Sequence, residues 1–168
     1  MPAQEGAEGK ERGDGPGNGP GVDGSPEIYA IVRIRGPANM NKGIRHALRR
    51  LMLKKVHACT IARSSPTIRG MLLHAEDYIT WGPIEEPVLV KMLEKRGRSK
   101  SGARIDAKHA KALASKIIKE GMLGSADVRP VFGLASPSGG LRSVRLQYPR
   151  GDLGFRGEKM NELLLRMI

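Results

Sequence analysis

At 168 residues the chain has room for one domain, or for a small core with an elaborated tail. Lys and Arg number 29 against 17 Asp and Glu, for a formal charge of +12 and a pI near 10.3, the balance expected of a nucleic-acid binder. One cysteine, Cys59, excludes an intramolecular disulfide and a Cys-rich zinc site; no apolar run approaches the roughly 20 residues of a membrane span, and no signal-peptide core opens the sequence, so a soluble cytoplasmic protein is expected.

The charge is uneven. Residues 1–26 hold two basic and five acidic side chains, a net of −3, which leaves +15 for the remainder. This opening segment is rich in Gly, Pro, Glu and Asp and has almost no apolar side chain to offset the entropy of ordering, which predicts a disordered acidic tail over 1–26. Its glycines do not make a phosphate-binding loop, because no strand precedes them and no Gly-Lys-Ser/Thr follows.

Residues 28–36, IYAIVRIRG, carry the strongest strand pattern. Ile28, Ala30, Val32 and Ile34 fall on one side of the pleat; Tyr29, Ile31, Arg33 and Arg35 fall on the other. The first side is expected to be core. The two guanidinium groups near the strand exit are expected to offer part of the second side to an anion. NKGIRHALRRLMLKK (41–55) reads as an amphipathic helix with Ile44, Ala47, Leu48 and Leu51 as its apolar stripe. Lys42, Arg45, Arg49, Arg50, Lys54 and Lys55 occupy most of the rest, with no interleaved acid. Like charges at helical spacing repel unless a polyanion neutralises them; a merely solvated face is the alternative.

VHACTIAR (56–63) is a second strand. Ser64-Ser65-Pro66 then starts a helix through PTIRGMLLHAEDY with Ile68, Met71, Leu72 and Ala75 inward. Gly70 inside that helix costs roughly 1 kcal/mol against Ala, to be explained by close packing on a strand or by a ligand approaching the backbone. YITW (78–81) is a third strand, stopped by Gly82-Pro83. Strand, helix, strand, helix, strand within some 55 residues makes a two-layer α+β unit.

The extension reads less sharply. A helix over 85–96 places Val88, Leu89, Met92 and Leu93 on one face, and KRGRSKSGAR follows it. Lys95, Arg96, Arg98, Lys100 and Arg104 in this Gly-containing loop suit phosphates, which glycine lets backbone N–H groups approach; a disordered linker is the alternative. Residues 105–121 form a helix with Asp106 as candidate N-cap, Gly121 as stop, and Ala110, Leu113, Ala114, Ile117 and Ile118 as its stripe. Residues 130–157 form a Gly/Pro-rich block with Arg142, Arg145, Arg150 and Arg156 at intervals, suited to a loop moulded onto a rugged surface. A closing helix over 158–168 puts Met160, Leu163, Leu164 and Met167 at i, i+3, i+4, i+7 and should dock back on the core.

Nothing in the chain makes a convincing catalytic or metal constellation. His46, His57, His74 and His109 are scattered, and His74, Glu76 and Asp77 do not converge on one helix face. Cys59 sits in a strand as a small core residue, and Ser136 and Ser138 lack a strand-to-helix elbow. No metal or cofactor is expected. Aromatic residues make up 4% of the chain, too few for a platform that stacks successive unpaired bases. Dispersed basic helices and loops fit folded RNA instead, read through phosphates and 2′-hydroxyls.

Several of these segments together resemble a known family. IYAIVRIRG, the basic helix, S-x-P-T-I-R-G-M-L, DYITWGPI and KRGR, followed by RPVFGLASPSGG and GDLGFRGEKMNELLLRMI, are similar in order to the large-subunit ribosomal proteins of the "L thirty" family, whose eukaryotic relatives are called "L seven". Bacterial members resemble only residues 27 to about 81; the extended archaeal and eukaryotic type continues through the C-terminal block, as this chain does over 27–168, and the short non-basic leader looks archaeal. The resemblance implies a ferredoxin-like two-layer α+β core over 27–84. Its three-stranded antiparallel sheet has the first strand in the middle and helices on one face, and a helical and Gly-rich extension over 85–168 docks on that core. It implies a monomer within the ribosome that binds large-subunit rRNA and neighbouring ribosomal proteins, with no small-molecule substrate and no membrane. The RNA-binding candidates are Arg33, Arg35, Lys42, Arg45, Arg49, Arg50, Lys54, Lys55, Arg69, Lys95, Arg96, Arg98, Lys100, Arg104, Arg142, Arg145 and Arg156. Gly133 stands where the family usually has Arg, and the stretch between KRGR and Pro130 matches poorly. A free RNA-binding regulator or assembly chaperone, and a module that recognises an acidic protein, are the competing expectations.

Overall fold

A computed structural model describes residues 28–121 and 128–168; the tail expected over 1–26 lies outside them. The central element is β1 (Ile28–Arg33), every residue of which is buried. It pairs antiparallel with β2 (Ala58–Arg63) on one side and with β3 (Ile79–Pro83) on the other. Its β-branched side chains suit a pleated surface that is packed on both faces. Two-residue strands from the C-terminal half then extend the sheet: β4 (Phe132–Gly133) runs antiparallel along β2, and β5 (Gly154–Phe155) runs parallel along β3, giving the order β4-β2-β1-β3-β5.

Alternation along β1 divides the core in two. Tyr29 and Ile31 face α1 (Lys42–Arg50) and α2 (Pro66–His74), where Leu48, Leu51, Leu53, Leu72 and Trp81 complete the packing. Ile28, Ala30 and Val32 face α3 (Glu86–Arg96), α4 (Ala107–Glu120) and α5 (Lys159–Met167). The α+β core is as expected, with α1 and α2 on one face of a sheet centred on the first strand. The extension supplies the three helices that cover the opposite face. Each large aliphatic chain so buried is worth about 1.5–3 kcal/mol relative to exposure, so neither face of β1 can be offered to a ligand. The expectation of a partly open second face is therefore corrected.

Helix ends follow local chemistry. Asn41 caps α1 by accepting a 3.2 Å bond from Gly43 N–H, and Ser65 caps α2 by accepting one from Ile68 N–H at 3.2 Å. Gly121 ends α4 in the left-handed region at φ 71°. The expected apolar stripe of α5 is buried in full: Met160, Leu163, Leu164 and Met167. Asn161 on the same helix accepts from Glu85 N–H at 3.0 Å, tying it to the start of α3. At Gly82 a Cβ would stand 2.4 Å from the Gly157 carbonyl oxygen, so only glycine lets β3 pass under the turn into α5.

Candidate nucleic-acid interface

The basic side chains fall into separate districts, each built differently. The first is α1 with the turn that follows it. Lys42, Arg45, Arg49, Arg50, Lys54 and Lys55 are all exposed, while Ala47 and Leu48 are buried. The helix is shorter than 41–55 because it closes in a reversal at Met52. Met52 N–H donates to Arg49 O at 3.0 Å, and Leu53 N–H donates to Leu48 O at 2.9 Å, with Met52 itself at φ 60°. This is a Schellman-type ending with methionine in the place glycine favours. The reversal sends Leu53 inward, fully buried, and leaves Lys54 and Lys55 outside beside Arg49.

Arg33 lies on the inner side of that surface. It is 5% exposed. Its Nη1 donates to Leu53 O and Lys54 O, each at 2.9 Å, and its Nε donates to Arg35 O at 2.9 Å. Burial lowers its pKa, and the neighbouring Tyr78 partly opposes that shift. The guanidinium forms the floor of a groove of about 570 Å³ whose rim includes Arg45, Arg49 and Lys54. It holds the reversal in place by satisfying carbonyls that would otherwise lack donors. Its expected phosphate contact is therefore replaced by a positioning role. Arg35 stays at the strand exit, half-buried, with its guanidinium carbon 5.2 Å from the Tyr78 ring centroid.

The second district is a cleft of about 290 Å³ at the β4 edge, lined by Lys95, Arg96, Gly97, Arg98, Arg104, Arg129, Val131 and Gly133. Among the described residues, five cations and no carboxylate line it. The loop is ordered by its own backbone. Arg98 bridges Arg104, Ser99 N–H donates to Ala103 O at 2.9 Å, and Arg129 N–H donates to Arg98 O at 2.9 Å. Gly97 is required there, since a Cβ would lie 2.2 Å from Leu93 O. Arg96 spends its Nε on the Ile168 carbonyl at 3.2 Å. Lys100 lies on the exposed outer side of the hairpin. Arg129 is the member that sequence reasoning missed. It precedes Pro-Val-Phe, and the backbone bond to Arg98 that places it has no trace in composition or periodicity.

The third district is the Gly/Pro-rich block. Arg142 and Arg145 are exposed, as is Arg150. Arg156 is internal, with its side chain 8% exposed and its guanidinium donating to the Asp152 carboxylate and, at 3.2 Å, to Asp152 O. The other oxygen of that carboxylate accepts from the N–H groups of Arg142 and Ser143. Burial pushes the Asp152 pKa up, but the bond from Arg156, the two N–H donors and the Arg156 charge outweigh it, leaving the group below 3.8. The expected RNA contact at Arg156 is thus corrected to an internal ion pair that shapes the loop. Arg69 is exposed on α2.

α1 and α2 lie on one side of the sheet and α3 on the other; the cleft opens at the β4 edge between them, where Val131 packs against the core under α1 and α2. Among the described residues no cluster of His, Cys, Asp and Glu could hold a metal. Cys59 is fully buried, with burial pushing its thiol up to about 12, and no helix among the described residues is long and apolar enough to cross a membrane.

Comparison with known proteins agrees with this geometry. The family model described as Ribosomal protein L30p/L7e matches residues 29–79, the unit from β1 to the start of β3. Large ribosomal subunit protein uL30 of Archaeoglobus fulgidus is 32% identical over 151 residues, covering 83% of this chain and 99% of that protein. The protein of the same name from Desulfurococcus amylolyticus is 37% identical over 161 residues, covering 84% of this chain and 99% of its own length. That of Methanobrevibacter smithii is 32% identical over 152 residues, covering 84% and 100%.

Proposed function

The chain belongs to the ribosomal protein L30p/L7e family, and from that premise we propose that it is a structural constituent of the large ribosomal subunit, holding folded rRNA with its basic helices and loops. The observation that carries the reading is α1. Lys42, Arg45, Arg49 and Arg50 all face solvent on a helix without one acidic residue, and the reversal that Arg33 pins adds Lys54 and Lys55. Such a surface is self-repelling alone and is relieved when closely spaced phosphates release their counterions to it. The five-cation cleft adds a recess where a sharply turned strand could bring phosphates together. Neighbouring ribosomal proteins complete the setting, which is the cytoplasmic ribosome, and the role is architectural rather than catalytic.

Sedimentation of tagged protein through a high-salt gradient tests this directly. Stable comigration with the large subunit is expected. Recovery only at the top of the gradient would reject it in favour of a free RNA-binding regulator or assembly chaperone.

A further inference from the structure

Gly70 stands mid-helix in α2, exposed, with nothing within 4 Å of where a Cβ would lie. Glycine there weakens the helix relative to alanine, and no packing inside the described residues compensates for it. Other glycines of this chain do have such a reason, as at Gly82 and Gly97. Leu73, three residues on, is 59% exposed, the most exposed large apolar side chain among those described. Gly70 and Leu73, with Ser64, Ser65, Pro66 and Arg69, line a hollow of about 400 Å³.

The setting of this hollow selects its occupant. α1 and α2 cover the same face of the sheet and touch each other, and neither contains an acidic residue. Whatever sits here must approach a helix backbone within van der Waals contact, lay an apolar surface on Leu73, and suit the Arg69 cation in the lining and the basic α1 on the same face of the sheet. A nucleotide does all three, through its sugar or base edge and its phosphates. We propose that the hollow over Gly70 seats one rRNA nucleotide, with the flanking phosphates running onto α1. This rests on the rRNA-binding reading above and adds to it an apolar contact over Gly70 and Leu73, with Arg69 at its side.

The test is Gly70→Ala in the full-length protein, read by thermal melting and by binding to protein-free large-subunit rRNA. The variant should melt a few degrees higher, as the helix gains from losing glycine. It should bind rRNA about tenfold more weakly, as an added methyl group does in a packed contact. Leu73→Ala should also weaken binding while leaving the melting temperature close to that of the wild type. Equal rRNA affinity of Gly70→Ala and wild type would overturn the inference and leave the rRNA-binding reading standing. Equal rRNA affinity together with loss of the variant from assembled subunits would overturn it in favour of a protein neighbour on α2. If wild type itself failed to bind, both readings would fall.

Discussion

Replacing Arg33 with Met separates a phosphate contact from a positioning role. The guanidinium makes three bonds of 2.9 Å to the carbonyls of Arg35, Leu53 and Lys54. Hydrogen bonds from a charged donor are worth roughly 1.5–3 kcal/mol each, net of what water would offer. Against their sum stands the several kcal/mol needed to bury a cation that has no carboxylate beside it. The methionine fills much of the space but leaves the three carbonyls short of a donor, so a net destabilisation of about 3 kcal/mol is expected. For a chain of this size that corresponds to a melting temperature roughly 6–12 °C lower. Urea denaturation gives the free energy. Binding to rRNA as a function of salt, measured well below the melting temperature, gives the number of phosphates engaged. The salt slope should stay at the wild-type value, because Arg33 touches protein and not RNA. Unchanged stability with a slope flatter by one contact would refute the positioning role and restore Arg33 to the interface.

Two further outcomes follow from the same geometry. Arg49→Ala combined with Arg50→Ala should leave the melting temperature near that of the wild type and flatten the salt dependence of rRNA binding by about 0.7–0.9 for each lost contact; an unchanged slope would remove α1 from the interface. Asp152 has a folded pKa below its ordinary 3.8, so its stabilisation is complete above about 3.8 and is lost as pH falls through the lower folded value. Asp152→Asn should therefore be less stable than wild type at pH 7, by about 1–3 kcal/mol, and should lose less stability than wild type on acidification below pH 4. Parallel acid-unfolding curves would contradict this.

The core was legible where pattern and local chemistry agree. The alternation in IYAIVRIRG marks the central strand, and the spacing of Met160, Leu163, Leu164 and Met167 orients the last helix. Arg33 is not legible in the same way, because in sequence an arginine in a strand looks the same whether its donors meet phosphates or carbonyls. The distinction lies in the reversal at Met52, which brings the Leu53 and Lys54 carbonyls 20 and 21 residues along the chain back onto it. Arg156 is similar: Asp152 stands four residues earlier in the sequence, but only the loop geometry makes the two meet. Strands β4 and β5 are two residues each, too short for any period to register. The cleft's fifth cation, Arg129, is placed by pairing between segments far apart in the sequence.

Those two short strands bear on how the sheet of such a cationic chain is kept from pairing with another chain. A three-stranded sheet alone would leave the outer N–H and C=O groups of β2 and β3 open to another chain, as the sheet edges that seed aggregation do. Here β4 occupies one border and β5 the other, helped by Thr60 Oγ1 donating to Pro130 O and Thr80 Oγ1 donating to Gly154 O, each at 3.0 Å. β4 covers Ala58 and Cys59 of β2, and β5 covers Thr80 and Trp81 of β3, so part of each border is already taken when a foreign strand approaches. A chain cut after residue 84 would lose both guards along with the helices over Ile28, Ala30 and Val32. The C-terminal half thus closes part of both sheet borders and one whole face of the unit that the family model matches.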